Sequence, residues 1–215
     1  GFRAPSPFEI DYNAGAFAFP PASLASLKQE ESEGHELGVE YVLGNRLHLE
    51  AVYFDQEVKN AIYFDLAGFS GYLQDIGASN SEGVELGIDL AMTDSLRLTS
   101  NYTFNETERP NGLQRLRRPE KLANVGLFYS GVGDRLKLNA FYRISQDSID
   151  ELNGTSVGLD DFQVLDLSAS YDVNDSFRIY TRVENALDED YQEVTGFFSP
   201  ERAIYVGIKL NLSSP

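Results

Sequence analysis

Residues 181–194 read Thr-Arg-Val-Glu-Asn-Ala-Leu-Asp-Glu-Asp-Tyr-Gln-Glu-Val, a polar stretch between two segments of alternating sequence. The apolar positions are Phe177, Ile179 and Val183 before it, and Ile204, Val206, Ile208, Leu210 and Leu212 after it. Alternation of apolar and polar residues indicates a β-strand with one apolar and one polar face. The stretch therefore predicts two strands joined by a polar connection at roughly residues 187–199.

The same two-residue period recurs along the whole chain. Further apolar positions in alternation are Leu37, Val39, Tyr41 and Leu43; Leu47, Leu49, Ala51 and Tyr53; Val84, Leu86, Ile88, Leu90 and Met92; Leu96, Leu98, Tyr102 and Phe104; Leu136, Leu138, Ala140, Tyr142 and Ile144; and Leu165, Leu167, Ala169 and Tyr171. No segment shows a sustained helical period. The pattern predicts an all-β antiparallel meander of about ten strands.

Composition excludes several classes of protein. The 215 residues carry a net charge of −17, which argues against nucleic acid as a partner because phosphate would be repelled. There is no cysteine, which excludes disulfide scaffolds and cysteine-ligated metals. The mean hydropathy of −0.30 is too polar for a helical membrane protein, and no run of about 18 apolar residues is present.

The lengths of the connections separate a soluble sandwich from a membrane barrel. Short links at residues 44–46, 93–95, 132–133 and 173–175 alternate with longer ones at roughly residues 5–31, 67–71, 108–116, 147–161 and 187–199. Outer-membrane barrels have short turns at one end and long loops at the other. Charges also lie on the polar strand faces: Glu85, Arg97, Lys137, Arg143, Asp166, Arg178 and Arg182. The pattern favours a barrel with a wet lumen over a sandwich.

Several segments, taken in order, resemble the TonB-dependent outer-membrane receptors, most closely the vitamin B12 receptor-like group. They are Gly1 to Ser6, Leu27 to Tyr41, Tyr72 to Glu85 with Ile76-Gly-Ala78, Leu116-Arg-Arg-Pro119, and Val183 to Tyr191 followed by the last strand. Two positions depart from the family pattern. Gln29 stands where the family usually has proline, and Leu212 stands where it usually ends on an aromatic residue. The resemblance implies a transmembrane barrel of about 22 strands in the bacterial outer membrane.

The chain opens on Gly1-Phe-Arg-Ala-Pro, in the middle of a strand-like pattern. We therefore expect residues 1–215 to be the C-terminal portion of the barrel, without the plug domain, the energy-coupling box and about twelve N-terminal strands. The resemblance implies outer-membrane lipid as surroundings, and the plug and TonB as partners through the missing part. By itself, the chain is expected not to restore growth on limiting vitamin B12 or chelated iron.

Candidate ligand contacts lie in the predicted outer loops. They are Phe17 and Phe19 in the longest loop, and Asp147, Asp150, Glu151, Asp160 and Asp161 in an acidic loop. That loop could bind Ca²⁺ through oxygens, but its spacing matches no EF-hand, and a solvated acidic loop is favoured. Packing of the two phenylalanines within their loop is the alternative to ligand contact. The candidate lumen wall comprises Glu40, Glu50, Glu85, Asp166 and Arg182.

No catalytic or cofactor chemistry is visible in the sequence. The two histidines, His35 and His48, lie on polar strand positions without a supporting Ser-Asp set, which favours lumen-wall residues over catalysis. A phosphate-cradling glycine loop and a zinc signature are both lacking, so no cofactor is predicted. The chain is therefore interpreted as a non-enzymatic part of a transporter.

Three functions remain open at this point. The first is energy-coupled uptake of cobalamin or a ferric siderophore, a small metal chelate, through a plugged barrel. The second is a passive porin, which needs no plug. The third is an outer-membrane enzyme, which requires a convergent catalytic set at the barrel rim.

The alternation also predicts register and faces. Pairing Tyr171 with Phe177 sets Asp166 opposite Arg182, and the first hairpin sets Glu40 opposite Glu50, a like-charge pair that needs a basic neighbour or a raised pKa. One outer face should carry Leu37, Tyr53, Leu86, Leu98, Leu138, Ile179 and Val206. Its aromatic residues should gather at the two membrane borders, with Tyr171 and Phe177 at the short-turn end and Tyr53, Phe104 and Tyr142 at the long-loop end.

Overall fold

The computed structural model describes residues 1–75 and 77–211. Its strands are β1 (Phe2–Arg3), β2 (Glu30–Leu43), β3 (Leu47–Lys59), β4 (Ile62–Phe64), β5 (Tyr72–Gln74), β6 (Ala78–Ala91), β7 (Leu96–Glu108), β8 (Lys121–Gly131), β9 (Leu136–Gln146), β10 (Ser148–Leu152), β11 (Thr155–Leu159), β12 (Phe162–Asn174), β13 (Phe177–Glu184), β14 (Gln192–Val194), β15 (Phe197–Phe198) and β16 (Ala203–Leu210). One helix, α1 (Pro7–Ala14), and one 3₁₀ turn (Ala22–Leu24) precede β2. Ile76 and residues 212–215, including Leu212, lie outside the described residues.

Within this part of the chain, ten strands form one antiparallel sheet in the order β1-β2-β3-β6-β7-β8-β9-β12-β13-β16. Neighbours in the sheet follow one another along the chain, apart from small hairpins inserted in the connections. The predicted ten-stranded meander is confirmed. None of the described helices is long and apolar enough to cross a membrane.

The connections alternate in length, as predicted. Short turns lie at residues 44–46, 92–95, 132–135 and 175–176, and the long connections, called loops 1–5, are residues 4–29, 60–77, 109–120, 147–161 and 185–202. Loop 2 is longer than the predicted residues 67–71, because β3 and β6 stop pairing at Lys59 and Ala78. Between these residues β4 and β5 pair with each other and extend the loop as a small hairpin.

The sheet has one apolar face that no second sheet covers. Leu37 pairs with Tyr53, Tyr53 with Val84, and Val84 with Phe104, so the four side chains lie in one row on the same face. The register places all seven predicted outer residues on this face; Leu98 is half-buried and the other six are exposed. Among the described residues, the buried hydrophobic side chains are Ala22, Phe162 and Val164. Such a small core excludes a sandwich and fits a wall facing lipid.

The apolar face ends sharply on the long-loop side. The next row outward from Leu37, Tyr53, Val84 and Phe104 is His35, Asp55, Glu82 and Glu106. Tyr53 bridges the border, since its hydroxyl donates to Glu82 Oε1 at 2.7 Å. His35 therefore lies on the outer face beyond the apolar band, and its interpretation as a lumen-wall residue is wrong. The outward positions of these strands therefore become polar beyond the apolar band.

The aromatic residues follow the predicted arrangement along this face. Tyr171 and Phe177 flank the short turn at residues 175–176, and Tyr53 and Phe104 lie at the opposite border. Tyr142 points outward in the upper part of β9, and its hydroxyl donates to Gln163, a polar residue of the same face. Aromatic rings with polar tips suit the two interfaces of a membrane.

The register was predicted correctly for the β2–β3 hairpin and incorrectly for the β12–β13 hairpin. Glu40 pairs with Glu50, and the expected basic neighbour is His48, whose Nε2 lies 2.7 Å from Glu40 Oε1. Arg182, however, faces Ser168 and not Asp166. β12 and β13 stay paired as far as Asn174 and Phe177, so the turn is residues 175–176, whereas pairing Tyr171 with Phe177 would need a turn of residues 172–176. Asp166 and Arg182 remain on the same face, as predicted.

Candidate functional site

The predicted wall residues all lie on the polar face of the sheet, but they do not form one site. Glu40, Glu50 and Glu85 belong to β2, β3 and β6, whereas Asp166 and Arg182 lie on β12 and β13. Glu85 is opposite Val52 and Thr103 in the pairing. The wall is therefore a broad charged surface on which Asp166 alone of the five lines the pocket described next.

A pocket of about 530 Å³ lies on the polar face beneath loop 5. Its floor comes from β7, β8 and β9 through Asn101, Asn124 and Arg143, and its side from Asp166. Tyr191 and Pro200 of loop 5 complete the lining. Amide, carboxylate, guanidinium and phenol groups thus converge in one concave space, as in small-molecule sites.

The beginning of loop 5, which belongs to the polar stretch 181–194, forms the roof of the pocket. Asn185 is buried; its backbone N–H donates to Asp166 Oδ1 at 2.8 Å, and its side chain donates to the carbonyls of Glu189 at 2.8 Å and Pro200 at 3.2 Å. Its Oδ1 accepts from the Glu189 N–H at 2.9 Å. A φ of 48° turns the chain out of β13, a backbone conformation that asparagine tolerates better than most residues. One side chain therefore closes the beginning of loop 5.

Tyr191 and Arg143 connect this roof to the sheet. The Tyr191 ring stacks on the buried Phe162 ring at 4.3 Å between centroids. The Arg143 guanidinium lies 5.1 Å from the Phe162 centroid and 5.8 Å from that of Tyr191, and its Nη1 is 2.7 Å from Glu193 Oε1. Arg143 was recognised in the sequence as a polar-face charge, but its place under loop 5 was not. Arg143 lies in β9, and its contacts come from β12 and loop 5, so no local sequence pattern predicts this cluster.

The predicted acidic loop is mostly the β10–β11 hairpin of loop 4. Asp147 and Asp161 stay near the sheet, where Lys121 Nζ lies 2.6 Å from Asp147 Oδ2 and Asp161 accepts from the Asp147 N–H at 2.9 Å. Asp160 is exposed and Glu151 half-buried. In the part of the chain that the structure describes, no group of three or more His, Cys, Asp or Glu residues is placed to hold a metal ion. The acids are thus spread along the loop.

Asp150 differs from the other acids because its side chain is fully buried, with 0% exposure. Its Oδ1 accepts from Arg117 Nε and its Oδ2 from the Thr195 N–H, each at 2.8 Å. Burial by itself would raise the pKa of Asp150, but the Thr195 and Glu151 N–H groups and the Arg117 guanidinium outweigh it and hold this pKa below its ordinary value. Asp150 therefore joins loops. The sequence suggested it as a ligand contact, but both of its carboxylate oxygens are buried and accept hydrogen bonds from other loops.

Loop 1 contains the helix that periodicity did not predict. At eight residues α1 is too short for a sustained pattern, yet Ser6 and Glu9 form a capping box, and Pro7 stands at its start. Asn13 fixes the helix to loop 2, since its side chain donates to the Tyr72 carbonyl and accepts from the Tyr72 N–H, both at 2.8 Å. The Ser-Pro-Phe-Glu sequence was the signal that could have revealed α1.

Phe17 and Phe19 follow α1 at the outer end of the protein. Phe17 is 81% exposed and Phe19 is 49% exposed. The Phe19 N–H donates to the Ser70 carbonyl at 3.1 Å, which fixes this part of loop 1 on loop 2. Beside them, Tyr12, Phe64, Phe69, Tyr72 and Phe8 form a cluster of edge-on and tilted ring contacts. Both phenylalanines therefore expose apolar surface next to a packed aromatic cluster of loops 1 and 2.

Gly71→Ala is expected to loosen loop 1 from loop 2 by about 1–3 kcal/mol. Gly71 has a φ of +134°, and an added Cβ would lie 2.7 Å from Asn13 Oδ1 and 2.9 Å from Ala22 Cβ. Faster proteolysis of loop 1 in the folded protein measures the effect. Gly158→Ala is the control, because open space surrounds that Cβ. Equal proteolysis of the two variants would contradict the packing argument.

Comparison with known proteins agrees with this architecture. The family model "TonB dependent receptor-like, beta-barrel" matches residues 1–186. Vitamin B12 transporter BtuB of Vibrio cholerae serotype O1 is 26% identical over 200 residues, a match that covers 88% of this chain and 31% of that protein. The chain therefore spans about a third of the length of the curated relatives it matches.

Solved structures give the same fold. The pyoverdine outer membrane receptor FpvA from Pseudomonas aeruginosa PAO1 matches with a TM-score of 0.72 at 19% identity, over 86% of this chain and 30% of that one. The copper transporter OprC matches with a TM-score of 0.73 at 18% identity, over 98% of this chain and 35% of that one. These relatives are transporters and receptors by name. The chain belongs to the TonB-dependent receptor-like β-barrel family, whose barrels lie in the outer membrane of Gram-negative bacteria.

Proposed function

We propose that this chain forms part of the wall and five outer loops of a transporter for energy-coupled uptake of a scarce, bulky nutrient. The ligand class is cobalamin or a ferric siderophore. One observation carries the proposal: the sheet has an apolar and a polar face, and all five long loops lie at the same end of it. Lipid covers the apolar face, the polar face lines a wet lumen, and the loops meet the ligand outside.

Energy coupling requires parts that change state. A ligand shifts a conformational equilibrium only through different contacts with two states, so active uptake needs a movable gate in addition to a wall. We propose a plug domain as that gate and TonB as the source of force, both acting through the N-terminal part of the whole protein. A transport role is proposed in preference to a catalytic one, since the named relatives are transporters and receptors.

The proposed ligand contacts are exposed or half-buried side chains of loops 1 and 4. Phe17 and Phe19 offer apolar surface, and Asp160, Asp161, Asp147 and Glu151 offer negative charge. Glu40, Glu50, Glu85, Asp166 and Arg182 are proposed as lumen wall. Asp150 is left out of the contact set because it is buried.

Uptake measurements test the function directly. The whole protein is expressed in an outer membrane that lacks its own cobalamin and siderophore receptors, and uptake of labelled cobalamin and of a ferric siderophore is followed. We expect saturable uptake of one of the two that a protonophore abolishes. Uptake that is linear in concentration and indifferent to the protonophore would support a passive porin instead.

Phe17→Ala is expected to weaken ligand binding about tenfold, because burying an aromatic ring against a ligand contributes about 1.5 kcal/mol or more. Binding of the labelled ligand to intact cells gives the Kd. Leu24→Ala is the control, since Leu24 is 80% exposed in the same loop and lies outside the proposed contact set. An unchanged Kd for Phe17→Ala would remove Phe17 from the site.

A further inference from the structure

The buried carboxylate of Asp150 lies where three outer loops meet. Asp150 belongs to loop 4. Its carboxylate accepts one hydrogen bond from Arg117 Nε of loop 3 and another from the Thr195 N–H of loop 5. Loop 3 makes a second contact nearby, since the Arg117 N–H donates to the Ile149 carbonyl at 2.7 Å. A buried charge is stable only when such partners surround it, so separating the loops leaves it poorly compensated.

The contact between Asp150 and loop 5 continues to the pocket. Thr195 directly follows β14. Two nearby residues of loop 5 contact the sheet: Glu193 forms an ion pair with Arg143, and the Tyr191 ring stacks on Phe162. Loop 5 is thus fixed at its beginning by Asn185 and farther along by Asp150. Tyr191, which lines the pocket, lies between the two fixed points.

We propose that Asp150 is a positioning residue that holds loops 3, 4 and 5 together and thereby places the roof of the 530 Å³ pocket for ligand binding. The ligand-binding part of this inference rests on the proposed uptake function. Asp150 touches no ligand in this scheme and acts through Thr195 and loop 5. Removing its charge should therefore weaken ligand binding without changing the steps that follow binding.

Cysteine labelling in the whole protein tests the anchor without any ligand. The 215 residues contain no cysteine, so Val194→Cys, at a half-buried position of β14, introduces the only thiol in this part of the protein. Adding Asp150→Asn should raise the rate of maleimide labelling at this thiol about tenfold, since loss of a charge-assisted hydrogen bond and exposure of a buried partner favour loop opening. Asp160→Asn, the same change at an exposed acid of loop 4, should leave the rate within about twofold.

Arg117→Gln keeps the test decisive if Asp150→Asn folds poorly. Arg117 is partly exposed, so its replacement removes the Nε donor and leaves Asp150 itself in place. We expect this variant to raise the labelling rate several-fold. A rate equal to that of the parent in both Asp150→Asn and Arg117→Gln, or in Arg117→Gln alone if the other does not fold, would overturn the proposal.

Ligand binding separates positioning from general damage. In Asp150→Asn, the Kd for the transported ligand should rise about tenfold, while the maximal uptake rate and the amount of folded protein stay at parental values. A lower maximal rate with an unchanged Kd would contradict a positioning role. If the parent binds neither cobalamin nor a ferric siderophore, the proposed function fails, and the labelling rates still decide whether Asp150 anchors the loops.

Discussion

Leu49→Arg is expected to lower the free energy of unfolding by about 2–4 kcal/mol when the protein is folded in a bilayer. Leu49 lies on the apolar face between Tyr41 of β2 and Ile88 of β6, within the band that ends at Tyr53. An arginine there must place its charge in hydrocarbon or distort the lipid around it. Urea titration in phospholipid vesicles, followed by the gel mobility of the folded form, measures the loss.

Glu50→Arg provides the matched control, because it introduces the same side chain one residue away on the opposite face. There the new guanidinium would stand opposite Glu40, replacing a like-charge pair with an attractive one. We expect a change within about 1 kcal/mol, and in the stabilising direction. If Leu49→Arg were tolerated as well as Glu50→Arg, the apolar face would not lie in lipid.

Asn185→Ala is expected to destabilise loop 5 by about 3 kcal/mol. The change removes the three side-chain hydrogen bonds to Glu189 and Pro200 and leaves the Glu189 N–H without its acceptor. It also places alanine at a φ of 48°, where asparagine is better tolerated. Limited proteolysis at loop 5, combined with the unfolding free energy in vesicles, measures both the local and the global loss.

Asn153→Ala separates the backbone effect from the hydrogen bonds. Asn153 is exposed in the turn between β10 and β11 and has a φ of 52°, close to that of Asn185. Its replacement should cost about 1 kcal/mol, the contribution of the left-handed backbone alone. Equal losses for the two variants would show that the buried hydrogen bonds of Asn185 add nothing.

The sequence by itself determined the strands of the ten-stranded sheet, their two faces and the alternation of short turns with long loops. These features are local: a two-residue period assigns each side chain to a face, and lipid on one side with water on the other keeps that period unbroken. The pairing of Glu40 with Glu50 followed because the first turn is short and β2 and β3 pair without a bulge. The family was also readable, since its motifs are contiguous in the chain.

Only the tertiary structure decided what depends on contacts between distant segments. The turn between β12 and β13 is only residues 175–176, because Asn174 pairs with Phe177, and this pairing places Arg182 opposite Ser168 instead of Asp166. Asp150 reads as one more acid of a polar loop, and it is buried because loops 3 and 5 close over it with a guanidinium and an N–H. Burial and partners of this kind arise from the packing of loops that strand periodicity does not govern.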